Sequence, residues 1–450
     1  MNRSFSRKTN IVFTLLILLT GAAHVDSSPT TDIESLKRDN AELKSKVEAL
    51  ERQQTLEIKK IHSAVERTDR SSKKRNESIK RSIKTASDRL QMSGYLSAGV
   101  TMAEDNMGST KLNFKDKPNF RTDSVVGLQY TYNVVDNTQG VVQLIAQGYD
   151  DWQVNAEWAY VIYKFRDDLK FRAGRLRIPF YFESENLDVG FSYPWVRPPV
   201  EFYFLEIRSF EGIDMLYHFE TGEVIHDLQI LTGSFNETIL GNDITGKDAG
   251  GINISSQYRD FTFRLAWHQV DVSTSLELGS ATINISDKAT YTSTGIKYDN
   301  NRDFVMAEYS YLTGKESTFT QDTEYGVITL GRWYGNFLPY IYYAYIRSLN
   351  DNDFLGYGTC CIFTERVHFD LPPFAVSNYS LGLRYNVSAK TALKIEISHI
   401  FDPEPRNGIP DLVFSGGAPS DGLALYDAND EKNSFGDSGT IYSMVFDMVF

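Results

Sequence analysis

Alternating apolar and polar residues recur in short runs along most of the chain, and this pattern limits the available folds more than any other feature. In the last run, every second residue from Tyr442 to Phe450 is apolar or aromatic, while Ser443 and Asp447 lie on the opposite face. Successive side chains of a β-strand point to opposite faces, so each run predicts a strand with one apolar and one polar face. Sixteen such strands are predicted, over residues 92–102, 120–134, 140–148, 154–165, 169–178, 210–219, 224–235, 250–258, 261–270, 290–298, 304–312, 324–333, 338–347, 377–387, 392–401 and 438–450.

The connections between the predicted strands alternate in length. Short turns, such as 259–260, separate strands at one side, and longer segments, including 179–209, 350–376 and 402–437, separate them at the other. An even number of strands with this alternation is typical of a transmembrane barrel in which apolar residues face lipid and polar residues face the lumen. A propeller or a solenoid would show a repeated sequence period, and none is visible. We therefore predict an all-β transmembrane fold, a 16-stranded antiparallel β-barrel over residues 91–450.

The N-terminal segment predicts export. Arg3 and Arg7 precede an apolar run over residues 11–19 and three small residues over 21–23. This is the pattern of a cleaved secretory signal peptide, which we place at residues 1–23. The apolar run is about half the length that a membrane-spanning helix needs, and no later run approaches about 20 apolar residues. Any membrane would therefore be crossed by strands.

Residues 32–90 carry a heptad pattern. Two positions three residues apart repeat in successive heptads, with Ile33, Asn40 and Val47 at the first and Leu36, Leu43 and Leu50 at the second. This pattern predicts an α-helical coiled coil on the periplasmic side of the barrel, and a solvated single helix is the alternative. The β-branched residues are compatible with three strands, whereas asparagine in the seam often specifies a dimer. The pattern alone therefore leaves the number of helices open.

Charge divides the chain at the same place. Residues 32–90 have a net charge of +5, and residues 91–450 have a net charge of −20. Much of this negative charge lies in predicted long connections, for example at Asp427 and Asp430, where it would meet divalent cations and lipopolysaccharide at a cell surface. The net charge is therefore no guide to the ion preference of a pore.

No sequence pattern indicates catalysis or a cofactor. The seven histidines show no motif spacing, and neither Gly-x-Ser-x-Gly nor His-Glu-x-x-His occurs. The two cysteines, Cys360 and Cys361, are adjacent, which favours a free or vicinally oxidised pair in a surface loop over a redox or metal role. We therefore predict no enzyme activity, no cofactor and no metal site. Export also argues against nucleic acid as a partner.

The size of the predicted barrel points to a function. Sixteen strands enclose a lumen too wide for the wall side chains alone to fill, which predicts an aqueous channel. The predicted function is passive diffusion of small hydrophilic solutes and ions, with the connection 179–209 folded inward to narrow the channel. The alternative is a structural role, in which the helical segment over residues 32–90 tethers the outer membrane to peptidoglycan.

One stretch resembles a known family. Residues 159–179 read Ala-Tyr-Val-Ile-Tyr-Lys-Phe-Arg-Asp-Asp-Leu-Lys-Phe-Arg-Ala-Gly-Arg-Leu-Arg-Ile-Pro. This is similar to the strand, turn and strand that end in a Gly-Arg pair before the constriction loop of the trimeric porins of Gram-negative bacteria. The terminal Phe450 resembles the signal that the outer-membrane assembly machinery reads, and a coiled coil before the barrel is similar to one porin subgroup. The resemblance implies a homotrimer in the outer membrane, in contact with lipid and lipopolysaccharide.

The chain differs from many general porins in one connection, and the resemblance also implies which residues narrow the channel. The segment 149–152 is too short to latch onto a neighbouring subunit as a long loop does in many general porins, so the coiled coil would have to tie the subunits together. In the family, acidic residues of the inward loop face basic residues of the wall. The candidate constriction residues are Arg172, Arg175, Arg177, Glu183, Glu185, Asp188, Arg197, Glu201, Glu206 and Arg208.

Two interpretations of these charges remain open. They can create a transverse field that sorts ions, as rings of charged side chains do in other pores, or they can hold the loop to the wall. By strand parity Arg264 and Arg384 face the lumen, and Asp214, Glu308 and Glu396 would oppose them. The sign of any charge selectivity is not decided by the sequence.

Overall fold

The computed structural model describes residues 29–104, 114–203, 205, 207–239, 242–278, 281–315, 322–349, 352–360, 363–371, 375–401 and 438–450. The chain divides into two compact units, the first ending at Thr85 and the second beginning at Ala86. The predicted signal peptide, residues 1–23, lies outside the described residues, as does Cys361.

The first unit is built on one helix, α1, which spans Pro29–Arg89. Ion pairs one turn apart stabilise it along its surface, for example between Glu42 and Lys46 at 2.7 Å. The apolar heptad residues lie on this helix with exposed side chains; Leu36 is 62% exposed. In the part of the chain that the structure describes, no helix is both long enough and apolar enough to cross a membrane.

The second unit is an antiparallel sheet closed on itself. Its strands are β1 Leu90–Ala103, β2 Val125–Val135, β3 Thr138–Gln147, β4 Val154–Arg166, β5 Leu169–Arg177, β6 Ser209–Thr221, β7 Val224–Ile239, β8 Asn242–Tyr258, β9 Phe261–Leu278, β10 Ala281–Asp299, β11 Asp303–Gly314, β12 Thr323–Arg332, β13 Phe337–Ser348, β14 Asn352–Cys360, β15 Phe363–Leu371, β16 Ala375–Ser388, β17 Thr391–Phe401 and β18 Ser438–Val449. Each strand pairs with its neighbour in sequence up to β13, and β1 pairs with β18. The backbone of Phe450 also bonds to Gly94 in both directions, at 2.9 and 3.0 Å, which closes the ring at its last residue.

Sixteen of these strands form the barrel wall. β13 pairs directly with β16 over eleven residue pairs, so β14 and β15 are not part of the ring. They form a hairpin that joins the sheet through β10, at the level of Ile283. All sixteen predicted strands are present, and the prediction of a 16-stranded barrel is confirmed. The hairpin was not predicted, since residues 350–376 were interpreted as a plain connection.

The two faces of the wall have the predicted composition. On β9, Phe263 and Leu265 are exposed on the outer face, while Arg264 between them is buried in the lumen. On β18, Phe446 is exposed and Asp447 beside it is buried. On these two strands the exposed outer face is apolar and the charged residues lie on the buried inner face, as strand parity predicts.

The strand ends differ most from prediction at β2 and at β8 to β10. β2 begins at Val125 and not at residue 120, because the Ser124 hydroxyl closes a turn onto the Phe120 carbonyl at 2.7 Å. β8, β9 and β10 continue well past their predicted ends, and only residues 279–280 separate β9 from β10. Apolar residues alternate with polar ones in these extensions too, and Ile244, Val272 and Ala289 are buried in one cluster with Phe235, so the strand pattern continues beyond the predicted ends.

Candidate functional site in the barrel lumen

The connection between β5 and β6, residues 178–208, lies inside the barrel and is called the inner loop below. Trp195 and Phe202 of this loop are fully buried although neither belongs to a strand. They pack in one aromatic cluster with inward-facing residues of the wall, including Tyr342 of β13, whose ring lies 6.4 Å from that of Trp195. The inner loop therefore packs against the wall formed by β10 to β13, and Trp195 and Phe202 are shielded from water there.

Side chains of the wall bind the backbone of the inner loop at many points. Carbonyl groups accept hydrogen bonds as follows: Ser184 from Arg177 (3.1 Å), Phe180 from Ser293 (2.8 Å), Tyr193 from Arg384 (2.9 Å), Gly190 and Trp195 from Lys394 (2.5 and 2.7 Å), and Pro179 from Arg264. Two amide groups donate to wall carboxylates, Phe182 to Glu308 (2.8 Å) and Val196 to Glu396 (3.2 Å). The loop is thus held by strands on several sides of the lumen, and Arg264 and Arg384 face the lumen as parity predicts.

One of these contacts is a buried ion pair, called the Lys394 cluster below. The Nζ of Lys394 on β17 lies 2.9 Å from the Asp447 carboxylate on β18, and both side chains are buried. The Ser97 hydroxyl donates to Asp447 at 2.6 Å. Gly190 lies against this pair, and a Cβ there would collide with the side chains of Asp447 and Ser97. Glycine is therefore required at the point where the loop meets β18.

The predicted residue Arg172 forms the centre of a second cluster. Its guanidinium, on β5, binds Asp214 of β6 through Nε and Nη2 at distances of 2.5–3.1 Å. Its Nη1 donates a further bond to the Glu185 carboxylate of the inner loop at 3.2 Å. Arg172 and Asp214 are buried, whereas the Glu185 side chain is 52% exposed. The structure therefore brings two of the predicted residues together, and Glu185 is the one that reaches water.

A third cluster joins Arg177 and Arg208 to acidic partners. Arg177 lies 2.5 Å from Asp188 and 2.6 Å from Glu157, and Arg208 lies 3.4 Å from Asp188. Burial raises the pKa of the Asp188 carboxyl, but the two guanidiniums outweigh burial and hold that pKa below its ordinary value. The Gln147 amide also donates to Asp188, at 3.0 Å. Asp188 is therefore a charged carboxylate that fixes the loop to β5.

Other predicted residues pair separately. Arg197 makes two bonds of 2.7 Å to Asp123 and so joins the inner loop to the segment that precedes β2. Glu183 lies 3.4 Å from Lys297 of β10. Glu206 lies outside the described residues. Loop charges thus pair with wall charges, as the second interpretation of the sequence requires.

Arg175 departs from the predicted set. It lies on the outer face of the barrel, where it pairs with Glu211 at 2.6 Å and Glu237 at 3.0 Å. Glu211 is its direct partner across the ladder, and the next outward residue of that strand, Ile213, is 54% exposed. Arg175 lies on the outer face because it follows Arg172 by three residues, and an odd separation puts two strand residues on opposite faces.

Several functional side chains were not singled out from the sequence. Lys394 could have been found, because it lies two residues from the lumen-facing Glu396 and shares its parity. Glu157 could not, since a shift in register between β3 and β4 at this residue breaks the alternation. Asp123 and Lys297 acquire their roles through partners on the inner loop, and sequence patterns carry no information about those contacts.

Glu201 lies in a buried network beneath the inner loop. The Asn378 amide donates to one carboxylate oxygen at 3.1 Å, and Asn378 also approaches the Tyr342 hydroxyl, which lies 3.4 Å from Glu396. The second carboxylate oxygen has no hydrogen-bond partner among the described residues. Burial, with a smaller contribution from the Glu396 charge, raises the pKa of Glu201 to about 7 against the opposing effects of the Asn378 hydrogen bond and the Arg197 charge.

We expect Glu201→Gln to stabilise the barrel at pH 8 and to have no effect at pH 4. An unfolded carboxyl ionises near 4.5, whereas the folded one keeps its proton to about 7, so stability falls as the pH rises between these values. The difference corresponds to about 3 kcal/mol at most. Thermal unfolding midpoints in detergent at pH 4, 6 and 8 would measure it, with Glu223→Gln in an exposed turn as the control. A loss of stability that is equal at every pH would contradict this expectation.

Solved structures of similar overall fold come from outer-membrane proteins. They include OmpT of Vibrio cholerae (12% identity, 80% of this chain and 97% of that chain covered, TM-score 0.49), the outer-membrane channel DcaP of Acinetobacter baumannii (10%, 80% and 97%, TM-score 0.49) and an anion-selective porin from Comamonas acidovorans (13%, 80% and 99%, TM-score 0.49). No protein-family model and no curated protein sequence matches the chain. Since identity is 10–13% in each case, the residues of the site are interpreted from this chain alone.

Proposed function

We propose that this protein is an outer-membrane porin, a water-filled channel through which small hydrophilic solutes and ions diffuse passively. The observation that carries the proposal is the closed ring of sixteen strands with an apolar outer face and a polar, charged inner face. Such a ring has no free strand edge and can span lipid with every backbone group paired. A ring of this size also encloses an aqueous lumen.

The inner loop, residues 178–208, is the constriction of this channel. It occupies the lumen and is bound to wall residues on β5, β9, β10, β11, β16 and β17. Solutes would pass along the side of the loop that carries exposed charge, where Glu185 and Arg208 reach water. The candidate constriction residues that the structure describes, without Arg175, are those that a solute would meet or that hold the loop in place.

Planar-bilayer recording tests the proposal directly. Purified mature protein, inserted from detergent into a bilayer in 1 M KCl, should give discrete open steps that persist at low voltage. The matched control is the same protein unfolded by heat, which should give none. Folded protein that inserts and yet conducts no current would overturn the porin proposal.

The helix supports a homotrimeric assembly. Its heptad residues, among them Leu36 and Ile58, are exposed by 62% and 66%, and an isolated helix with such an apolar stripe gains stability by packing on copies of itself. A coiled coil of three such helices, on the periplasmic side, would hold three barrels together in place of a latching loop. In planar-bilayer recordings, a homotrimer is expected to close in three equal current steps.

The alternative function is a tether between the outer membrane and peptidoglycan. It is favoured by the run of basic residues from Arg70 to Arg75 in the part of α1 where the apolar heptads thin out. Deleting residues 32–90 separates the two proposals. Loss of envelope integrity with unchanged permeation would favour the tether, and loss of three-step closure with an intact envelope would favour the trimeric porin.

A further inference from the structure

The charges around the inner loop are balanced in most places. Arg177 and Arg208 face Asp188 and Glu157, Arg197 faces Asp123, Lys297 faces Glu183, and Lys394 faces Asp447. Each of these groups has equal numbers of acidic and basic members. They present little net field to an ion that passes beside them.

The Arg172 cluster is different because it contains two carboxylates and one guanidinium. Asp214 is fully buried and binds Arg172 through two nitrogens, which neutralises that arginine within the wall. Glu185 shares the same guanidinium through a single bond of 3.2 Å. One negative charge therefore remains, and it resides on the member that is exposed to water.

Exposure distinguishes Glu185 from the other described acidic residues of the inner loop. Its side chain is 52% exposed, whereas those of Glu183 and Asp188 are 7% and 6% exposed. Glu201 is buried as well. A loop residue inside a barrel can be exposed only to water of the lumen, so Glu185 projects an uncompensated charge into the solute path.

Most of the described cations that could offset it are less available; the exception is Lys170, which shares the lumen face of β5 with Arg172 and is half-buried. Arg264 and Arg384 are buried and donate to the carbonyls of Pro179 and Tyr193. Arg208 and Lys297 are 35% and 30% exposed, and each already faces a buried carboxylate. No wall arginine of the described lumen is thus left to attract anions at the level of Glu185.

We propose that Glu185 determines the charge selectivity of this channel and that the passage beside it favours cations over anions. This inference rests on the proposed porin function and adds the class of solute: inorganic cations, and small solutes that are positively charged or neutral, in preference to carboxylates and phosphates. A fixed charge at the narrowest level of a pore acts on every ion that passes, so one residue can set the sign. High salt should weaken the effect, because about 1 M salt screens charges beyond roughly 3 Å.

The test is the reversal potential in a KCl gradient of 0.1 M against 0.01 M. We expect the wild-type channel to prefer potassium over chloride by a factor above about 3, Glu185→Gln to lower this ratio at least about twofold, and Glu185→Lys to prefer chloride. Glu211→Gln is the matched control. Its side chain is also 52% exposed and also binds an arginine, but it lies on the outer face of the barrel and should leave the ratio unchanged.

The outcomes separate this inference from the proposed function. An absence of conductance in folded wild-type protein would refute the porin proposal. Open channels that prefer chloride in the wild type would overturn the inference without any variant, and so would a cation preference that Glu185→Gln leaves intact. A variant that fails to insert is recognised by its gel mobility before and after heating, and the sign in the wild-type channel still decides the case.

Discussion

Replacement of Lys394 with methionine is expected to lower the stability of the folded barrel by about 3–5 kcal/mol, because it leaves a buried carboxylate without a counter-charge. Asp447 would keep only the hydrogen bond from Ser97, at 2.6 Å, in a place where it has almost no contact with water. The loop carbonyls of Gly190 and Trp195 would lose their donor at the same time. The loss would be measured as a lower thermal unfolding midpoint, read from the change in gel mobility of samples heated to increasing temperatures.

Lys390→Met is the matched control for this change. Lys390 lies four residues earlier, in the exposed turn between β16 and β17, and the same substitution there should leave the midpoint within error. Adding Asp447→Asn to Lys394→Met should recover part of the stability, since an amide is less costly to bury unpaired than a carboxylate. If the two lysine substitutions had equal effects, the Lys394 cluster would have no special role in stability.

Removal of the inner loop should raise single-channel conductance several-fold. The Ile178 amide donates to the Arg208 carbonyl at 2.8 Å, so the two ends of the loop are adjacent and a short Gly/Ser linker in place of residues 180–207 can join them. The sixteen-stranded wall would remain closed, and the lumen would then be as wide as the ring of strands allows. Conductance histograms of the wild type and the shortened protein in 1 M KCl would give the ratio.

Excision of the hairpin formed by β14 and β15 is the control for loop removal. These strands lie outside the ring, because β13 pairs directly with β16, and their loss should change conductance little. Equal conductance in the wild type and in the protein without the inner loop would show that the constriction is elsewhere.

The barrel could be predicted from the sequence because its wall obeys one local rule. Along β9 and β18, side chains that face lipid and lumen alternate residue by residue, and an alternation of this kind is visible without any knowledge of the neighbouring strands. The same rule separates Arg172 from Arg175 and adds Lys394 to the lumen, but it fails at the end of β5, where Arg177 contacts the inner loop although it lies two residues after Arg175. Away from that strand end, local alternation was therefore enough to predict the wall. It also gives the outward position of Arg175, which the predicted constriction set had placed in the lumen.

The inner loop could be located from the sequence, but its contacts could not be predicted. Arg197 binds Asp123, 74 residues away, and Lys394 binds the carbonyls of Gly190 and Trp195, about 200 residues away. Such pairs depend on how an aperiodic segment folds across the lumen. The extended ends of β8 to β10 were missed although Ile244, Val272 and Ala289 continue the alternation there.

The wall grips the inner loop through peptide groups as well as through side chains, and the peptide contacts have a consequence for how the protein can change over time. A carbonyl or an amide is present at every residue, so the exposed side chains of the loop can be exchanged while the bonds from Ser293, Arg384 and Lys394 stay in place. Mutational drift at exposed loop positions such as Glu185 would then alter which solutes pass without loosening the loop. Homologous barrels could acquire new permeability by such substitutions alone, on an unchanged framework.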